Sequence, residues 1–140
     1  MNPKLISITL ILVAFFSFSS TAQSALGVWK TIDDETGEAK SHVEIFERNG
    51  KVYGKIVKLI NPESTICTTC TGDRKDKALV GMQIMWDMYK SGSTWKGGKI
   101  FSPQKDKTYK CKIWLDGNNT LKVRGYYYGF YRTQTWHRIK

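Results

Sequence analysis

From residue 26 onward the chain is a succession of short segments in which apolar residues recur at every second position, each closed by a tight-turn signal. A period of two places alternate side chains on opposite faces of a strand, so such a chain can fold only by burying one face of a sheet. Val43 and Ile45 alternate with His42, Glu44 and Phe46, and Asn49-Gly50 then supplies a two-residue turn that favours positive φ at both positions. Residues 51–60 return as the partner strand. Further segments follow at 94–101, 107–115, 120–128 and 132–139, with 26–32 as the first. Residues 80–89 fit a helix through Met82, Met85, Trp86 and Tyr89, or a strand through Met82, Ile84, Trp86 and Met88. The length of the run and the Ser91-Gly92-Ser93 turn favour the strand. The sum is an all-β, single-domain antiparallel meander of about eight strands, interrupted by one long loop from Asn61 to Ala78. Eight strands close into a barrel that side chains can just fill or that can hold one small ligand.

The residues before this meander have a different character. Lys4 precedes an uncharged run from Leu5 to Phe18, and Ser19, Ser20, Thr21 and Ala22 are small, which is the pattern of a cleaved export signal over residues 1–22. Cleavage between Ala22 and Gln23 is expected. The run is shorter than the roughly 20 residues that span a bilayer, and no later apolar run reaches that length, so no transmembrane segment is expected in the mature chain. Residues 23–140 suffice for one core and not for two. The leader takes only Lys4 from the charged residues, leaving 21 basic against 12 acidic side chains, a net charge of +9. Such a surface attracts polyanions, and an exported address, periplasmic or extracellular, makes an anionic envelope polymer the fitting partner rather than nucleic acid.

Export also makes a disulfide plausible. Cys67 and Cys70 form a CxxC inside a loop rich in Pro, Thr and Gly, without helical periodicity. A redox CxxC opens a helix whose dipole lowers the thiol pKa, and a zinc site needs two more ligands, which only Cys111, His42 and His137 could add. The preferred assignment is a loop-stapling Cys67–Cys70 disulfide, with pairing to Cys111, zinc and thiol exchange as alternatives. Cys111 shares one face with Tyr109, Ile113 and Leu115 and reads as a buried, inert thiol.

No catalytic motif, cofactor cradle or metal-ligand set stands out, and His42 and His137 read as strand-surface residues. The acidic cluster Asp33, Asp34 and Glu35 before Gly37 reads as a solvated turn. Ligand binding has more support. Met82, Ile84, Trp86 and Met88 with Tyr109, Ile113, Leu121 and Val123 are expected to line the interior, whether as a filled core or around a cavity. The segment Arg124 to Arg132 carries five aromatics, of which Tyr126 and Tyr128 are expected to face outward, as cross-strand packing or as a stacking platform. Lys110, Lys112, Lys122 and Arg124 decorate the outer wall.

Several residues carry a resemblance. Gly27-Val28-Trp29-Lys30-Thr31, Gly54-Lys55-Ile56, Cys67 to Gly72, Gly97-Gly98-Lys99-Ile100, Tyr109, Val123-Arg124-Gly125-Tyr126 and Arg132-Thr133-Gln134-Thr135-Trp136 are similar to a family of small exported bacterial proteins known as a domain of unknown function. The resemblance implies a lipocalin-like, calycin-type barrel and no assigned activity. In barrels of that type a first-strand tryptophan closes the floor under a late arginine, roles that Trp29 and Arg138 would take. The chain departs from typical lipocalins in being shorter and in lacking a C-terminal helix.

Three functions follow as expectations. The first is a non-enzymatic binding module for a small apolar or lipid-like amphipathic molecule, held against Trp86, Met82, Met88 and Tyr109 with Arg124 or Arg138 near an anionic head. The second is an envelope interaction protein that uses its basic, Tyr-rich surface, Tyr126 included, on an anionic glycan or protein. The third is a thiol-redox factor centred on Cys67 and Cys70. The oligomeric state is not legible.

Overall fold

The computed structural model describes residues 24–140 together with Ala14, Phe15 and Ser17, and the expected cleavage site between Ala22 and Gln23 lies outside the described residues. Eight strands follow in order: β1 Gly27–Ile32, β2 Ala39–Arg48, β3 Lys51–Leu59, β4 Gln83–Ser91, β5 Thr94–Ser102, β6 Lys107–Leu115, β7 Thr120–Tyr127 and β8 Phe130–Arg138. Each pairs antiparallel with its neighbours, and β8 returns to β1 to close a barrel. The expected all-β meander is therefore the fold, with a 3₁₀ turn at Gly72–Arg74 as the one named helical element among the described residues.

The turns set the strand ends. Asn49 and Gly50 take φ of 51° and 77°, and Tyr128 and Gly129 take 47° and 80°, the pairs of positive angles that match hairpin twist. The second of these turns starts β8 at Phe130 rather than at residue 132. Gly81, at φ 92°, likewise delays β4 to Gln83.

Residues opposite one another in an antiparallel pair share a face, so the pairing separates inside from outside. Trp29, Val43, Ile45, Met85, Met88, Ile113 and Leu121 point inward and are at most 1% exposed. A void large enough for water beside them would appear as exposed surface, so the part of the barrel they occupy is filled. Each such side chain contributes about 1.5–3 kcal/mol of apolar burial.

The expected lining of β4 is corrected here. Met85 pairs with Gly54 on one side and Ile100 on the other, facing inward, while Trp86 pairs with Lys99 on the outer face. Asp87 at φ 59° then interrupts the alternation, so Met88 turns inward three residues after Met85. A strict period of two would have put Trp86, rather than Met85, inside.

Gly98 faces the irregular stretch opposite Asp87. A Cβ there would overlap the Trp86 carbonyl oxygen and lie 2.7 Å from Met88 Sδ. Gly98→Ala should therefore destabilise the barrel by about 3 kcal/mol, the cost of overpacking against backbone, whereas Gly129→Ala meets no atom and should cost about 1 kcal/mol through its positive φ alone. Urea unfolding of the two variants checks the order; equal midpoints would refute it.

Candidate functional site

The two ends of the barrel differ. At one end residues 24–26, the C-terminal residues and three hairpin turns meet over Trp29. Its indole Nε1 donates to the Ala25 carbonyl at 2.8 Å, and the Arg138 guanidinium lies 4.2 Å from its ring. Arg138 also donates to the carbonyls of Asn118, Leu26 and Ser24 at 2.7, 2.9 and 2.7 Å. Its donors are thus engaged with the floor, where they hold the N-terminal segment and the β6–β7 turn.

The opposite end carries the β1–β2, β3–β4, β5–β6 and β7–β8 connections, and the inward residues there are polar or half-buried. Thr31 and Ser41 share a buried hydroxyl hydrogen bond of 2.8 Å. Tyr109 and Tyr127 meet edge-on with ring centroids 5.7 Å apart, and Tyr127 is 41% exposed. Gly125 stands between Cys111 and Arg132 in the inward row, and Tyr109 packs directly on it: a Cβ there would come within 3.2 Å of Tyr109 Cβ. Ile100 and Leu59 complete the apolar part of this mouth as partly buried members of the core.

A connected set of ion pairs lies across the mouth. Asp33 Oδ1 accepts from the amides of Glu35 and Thr36 at 2.7 and 3.2 Å, and Gly37 at φ 74° completes the turn, which fixes how Asp34 and Glu35 project. Arg132 donates to Asp34 Oδ2 through Nε at 2.9 Å and Nη2 at 2.7 Å, and through Nη1 to Glu35. Gln134 Nε2 donates to Asp34 Oδ1 at 3.3 Å, and Gln134 Oε1 accepts from Trp136 Nε1 at 2.9 Å. Lys105 of the β5–β6 turn binds Glu35 at 2.9 Å. The acidic turn is exposed to solvent, as expected, and its side chains are also paired across the seam, which the sequence does not indicate. The pairing takes over where the β1–β8 ladder stops: that ladder holds Trp29 to Arg138 and Lys30 to His137, at the floor.

The disulfide loop forms one wall of this end. Cys67 and Cys70 are joined, with Cα atoms 5.4 Å apart, and both are buried. The loop lies on the outer face of β4 and β5, where Arg74 stacks 4.1 Å from the Phe101 ring and 5.7 Å from that of Trp86. Thr69 Oγ1 donates to the Pro103 carbonyl at 2.6 Å and Thr71 to Asp106 at 2.7 Å, tying the loop to the turn that carries Lys105. Trp86 and Ile84 are thus covered from outside and do not line the interior.

The sequence-derived site residues consequently separate. Met88 and Tyr109 are inside, Met88 packed deep and Tyr109 at the mouth, and Met82 is half-buried against the core. Arg124 and Tyr126 are outside: Arg124 lies 4.2 Å from the Tyr131 ring and 4.9 Å from that of Trp114, and Tyr126 neighbours Tyr131 at 6.1 Å. With Lys110 and Tyr128, Tyr126 borders an outer cleft of about 570 Å³. Arg132, Gln134, Asp34 and Glu35 were missed. Counting back from Trp136 at period two gives Gln134 and Arg132 an inward phase, and an inward arginine demands a partner.

Among the described residues no group of His, Cys, Asp and Glu side chains is placed to hold a metal ion, and no helix is long and apolar enough to cross a membrane. His42 stands on the outer face, where burial and then the charges of Lys58 and Lys30 lower its pKa.

Electrostatics favour the closed mouth at neutral pH. Glu35 is held below its ordinary 4.5, first by the hydrogen bond from Lys105 and then by Arg132. Burial alone would lower Arg132, but the hydrogen bonds and charges of Asp34 and Glu35 outweigh it and raise it. A lowered carboxylate pKa stabilises the folded form above the ordinary value and loses that contribution as pH falls through the lowered one. The Glu35 side-chain carboxyl ¹³C signal should therefore titrate with its midpoint below the ordinary 4.5; a midpoint at or above that value would contradict the pairing. Cys111, buried on the inward face, is pushed up to about 12. Native protein should leave a thiol reagent unreacted at pH 8, about the lower edge of the range where an ordinary thiol ionises, and denatured, non-reduced protein should release one reactive thiol. Prompt labelling of the native protein would contradict its burial.

Comparison with known proteins bears on the fold. The family described as "Uncharacterized protein conserved in bacteria (DUF2147)" matches residues 27–138. A solved structure described as "Protein HP1028 from the human pathogen Helicobacter pylori belongs to the lipocalin family" superposes with a TM-score of 0.73 at 24% identity, covering 84% of each chain. No curated protein matches the sequence.

Proposed function

For this chain, which belongs to the DUF2147 family of bacterial proteins, we propose a non-enzymatic binding function for a small amphipathic molecule held at the mouth of the barrel. The observation that carries it is the contrast between the two ends. The floor is filled by Trp29, Met88 and Leu121, whereas the mouth presents Tyr109, packed on Gly125, with Tyr127 and Ile100 beside Thr31, Ser41, Gln134 and Arg132, and Tyr127 is 41% exposed there. An apolar wall with a few convergent polar groups is the composition of small-molecule sites. Lipocalin-like architecture supports the same function as a fold-level analogy.

The ligand differs from the one expected from the sequence in where it touches the protein. Tyr109 remains a contact, Trp86 and Arg124 do not, and the polar head meets Arg132 and Gln134 in place of Arg138. The filled floor limits depth. About four residues of strand, at about 3.3 Å each, lie between Cys111 and the rim, which bounds the chain the mouth can cover to medium length; a longer one must protrude. Export is part of the same proposal, supported by the leader from Lys4 to Ala22 and by a disulfide, which oxidising compartments preserve.

Titration of ¹⁵N-labelled protein with 1-octanol tests the function. Amide shifts should cluster at Thr31, Ser41, Ile100, Tyr109 and Gly125, and Tyr109→Ala should weaken binding about tenfold, the loss of about 1.4 kcal/mol of aromatic contact. Absence of binding, or shifts confined to the outer cleft at Tyr126 and Tyr128, would overturn it.

A further inference from the structure

Arg132 is an unusual residue for its position. It stands in the inward phase of β8 opposite Gly125, where an apolar side chain would extend the core, and its donors are met by two carboxylates that come from the far side of the closing seam. Asp34 Oδ2 takes both Nε and Nη2, the edge of the guanidinium at which a carboxylate docks, and Asp34 Oδ1 accepts from Gln134. Glu35 bridges the remaining nitrogen to Lys105, so the two cations share one acidic turn.

Across the seam, Gln134 Nε2 also holds that turn, donating to Asp34 Oδ1 at 3.3 Å. The backbone ladder between β1 and β8 ends at Lys30 and His137, and pairing in β1 shifts register between Thr31 and Ile32, just before the turn. The side chains of the ion pairs are solvent-exposed in part, Arg132 and Glu35 at 40% and 56%, so water can replace them at small cost. Released from the turn, Arg132 and Lys105 would be two cations at the edge of an apolar mouth in a protein of net charge +10.

We propose that Asp34 and Glu35 occupy on Arg132 the place of a ligand's carboxylate, and that the ligand is a medium-chain amphipathic carboxylate whose head displaces the β1–β2 turn while its chain packs on Tyr109 and Tyr127. The proposal rests on the binding function assigned to the mouth and adds the head-group class and the residue that recognises it. The exchange is conservative: one carboxylate leaves the guanidinium fork and another takes it, so binding gains the apolar burial without leaving Arg132 uncompensated. A neutral amphipath gains the same burial and leaves the fork unfilled when it lifts the turn.

The test compares octanoate with 1-octanol at neutral pH by titration calorimetry, on the full mature chain. Wild-type protein should bind octanoate at least fivefold more tightly than 1-octanol. Arg132→Gln should bring the two affinities together, and Arg132→Lys, which keeps the charge but not the fork, should fall between. The double variant Asp34→Asn, Glu35→Gln should bind octanoate at least fivefold more tightly than wild type, because nothing competes for Arg132. Equal affinities in the wild type, a preference that survives Arg132→Gln, or unchanged octanoate binding in the double variant would overturn the inference and leave the ion pairs as a structural strap. Failure of both probes to bind overturns the mouth-binding function itself, whereas octanol binding without carboxylate preference overturns the inference alone. A dispersed NMR spectrum for each variant establishes that the affinities belong to folded protein.

Discussion

Closure of this barrel depends on Arg138 lying over Trp29. The last strand meets the first through two ladder pairs, Trp29 with Arg138 and Lys30 with His137, Val28 exchanges backbone hydrogen bonds with Ile139 and Lys140 at 2.7 and 2.6 Å, and the same arginine gathers the carbonyls of Ser24, Leu26 and Asn118. One side chain therefore joins the N-terminal segment, the β6–β7 turn and both strands of the seam. A guanidinium over an indole, partly withdrawn from water, gains roughly 2 kcal/mol, and its planar fork loses little further freedom on binding carbonyls. Because that closure is confined to the floor, the seam toward the mouth is left to side chains.

The asymmetry of the molecule follows. Near the floor the inward rows carry tryptophan, methionine and leucine and leave no room. Near the mouth the rows run out into Tyr109, Tyr127, Gln134 and Arg132, and the space is covered by an acidic turn instead of by core. The disulfide loop stiffens this end from outside through Thr69, Thr71 and Arg74, and passes that stiffness to the turn holding Lys105. A rigid wall facing a displaceable turn suits a site that must exclude water when empty and open when filled.

Much of the fold was legible in the residues. Asn49-Gly50 marked its hairpin, period two located the strands, and the Pro- and Thr-rich surroundings of Cys67 and Cys70 separated a loop staple from a redox helix. The lining of β4 was not legible, because the left-handed backbone at Asp87 is a tertiary accommodation to Gly98 opposite, and a single non-glycine residue at positive φ leaves no trace in periodicity. Trp86 was misplaced for that reason, and because the loop that covers it lies close in space but is not paired with it. The pairing of the exposed acidic turn was not legible because its partners stand far along the chain, on β8 and the β5–β6 turn. Arg124 and Arg132 are equally basic in the sequence, and only strand phase puts the second inside.

The central claim is that the mouth holds a small acidic amphipath, and mass measurement of the protein taken from its own host addresses it without a chosen probe. Native mass spectrometry of the purified chain, set against the same sample denatured, should give a discrete excess mass that the denatured protein lacks, and the released molecule should carry a carboxylate and a medium-length apolar chain. Equal native and denatured masses, or a released molecule without an acidic group, would contradict the account.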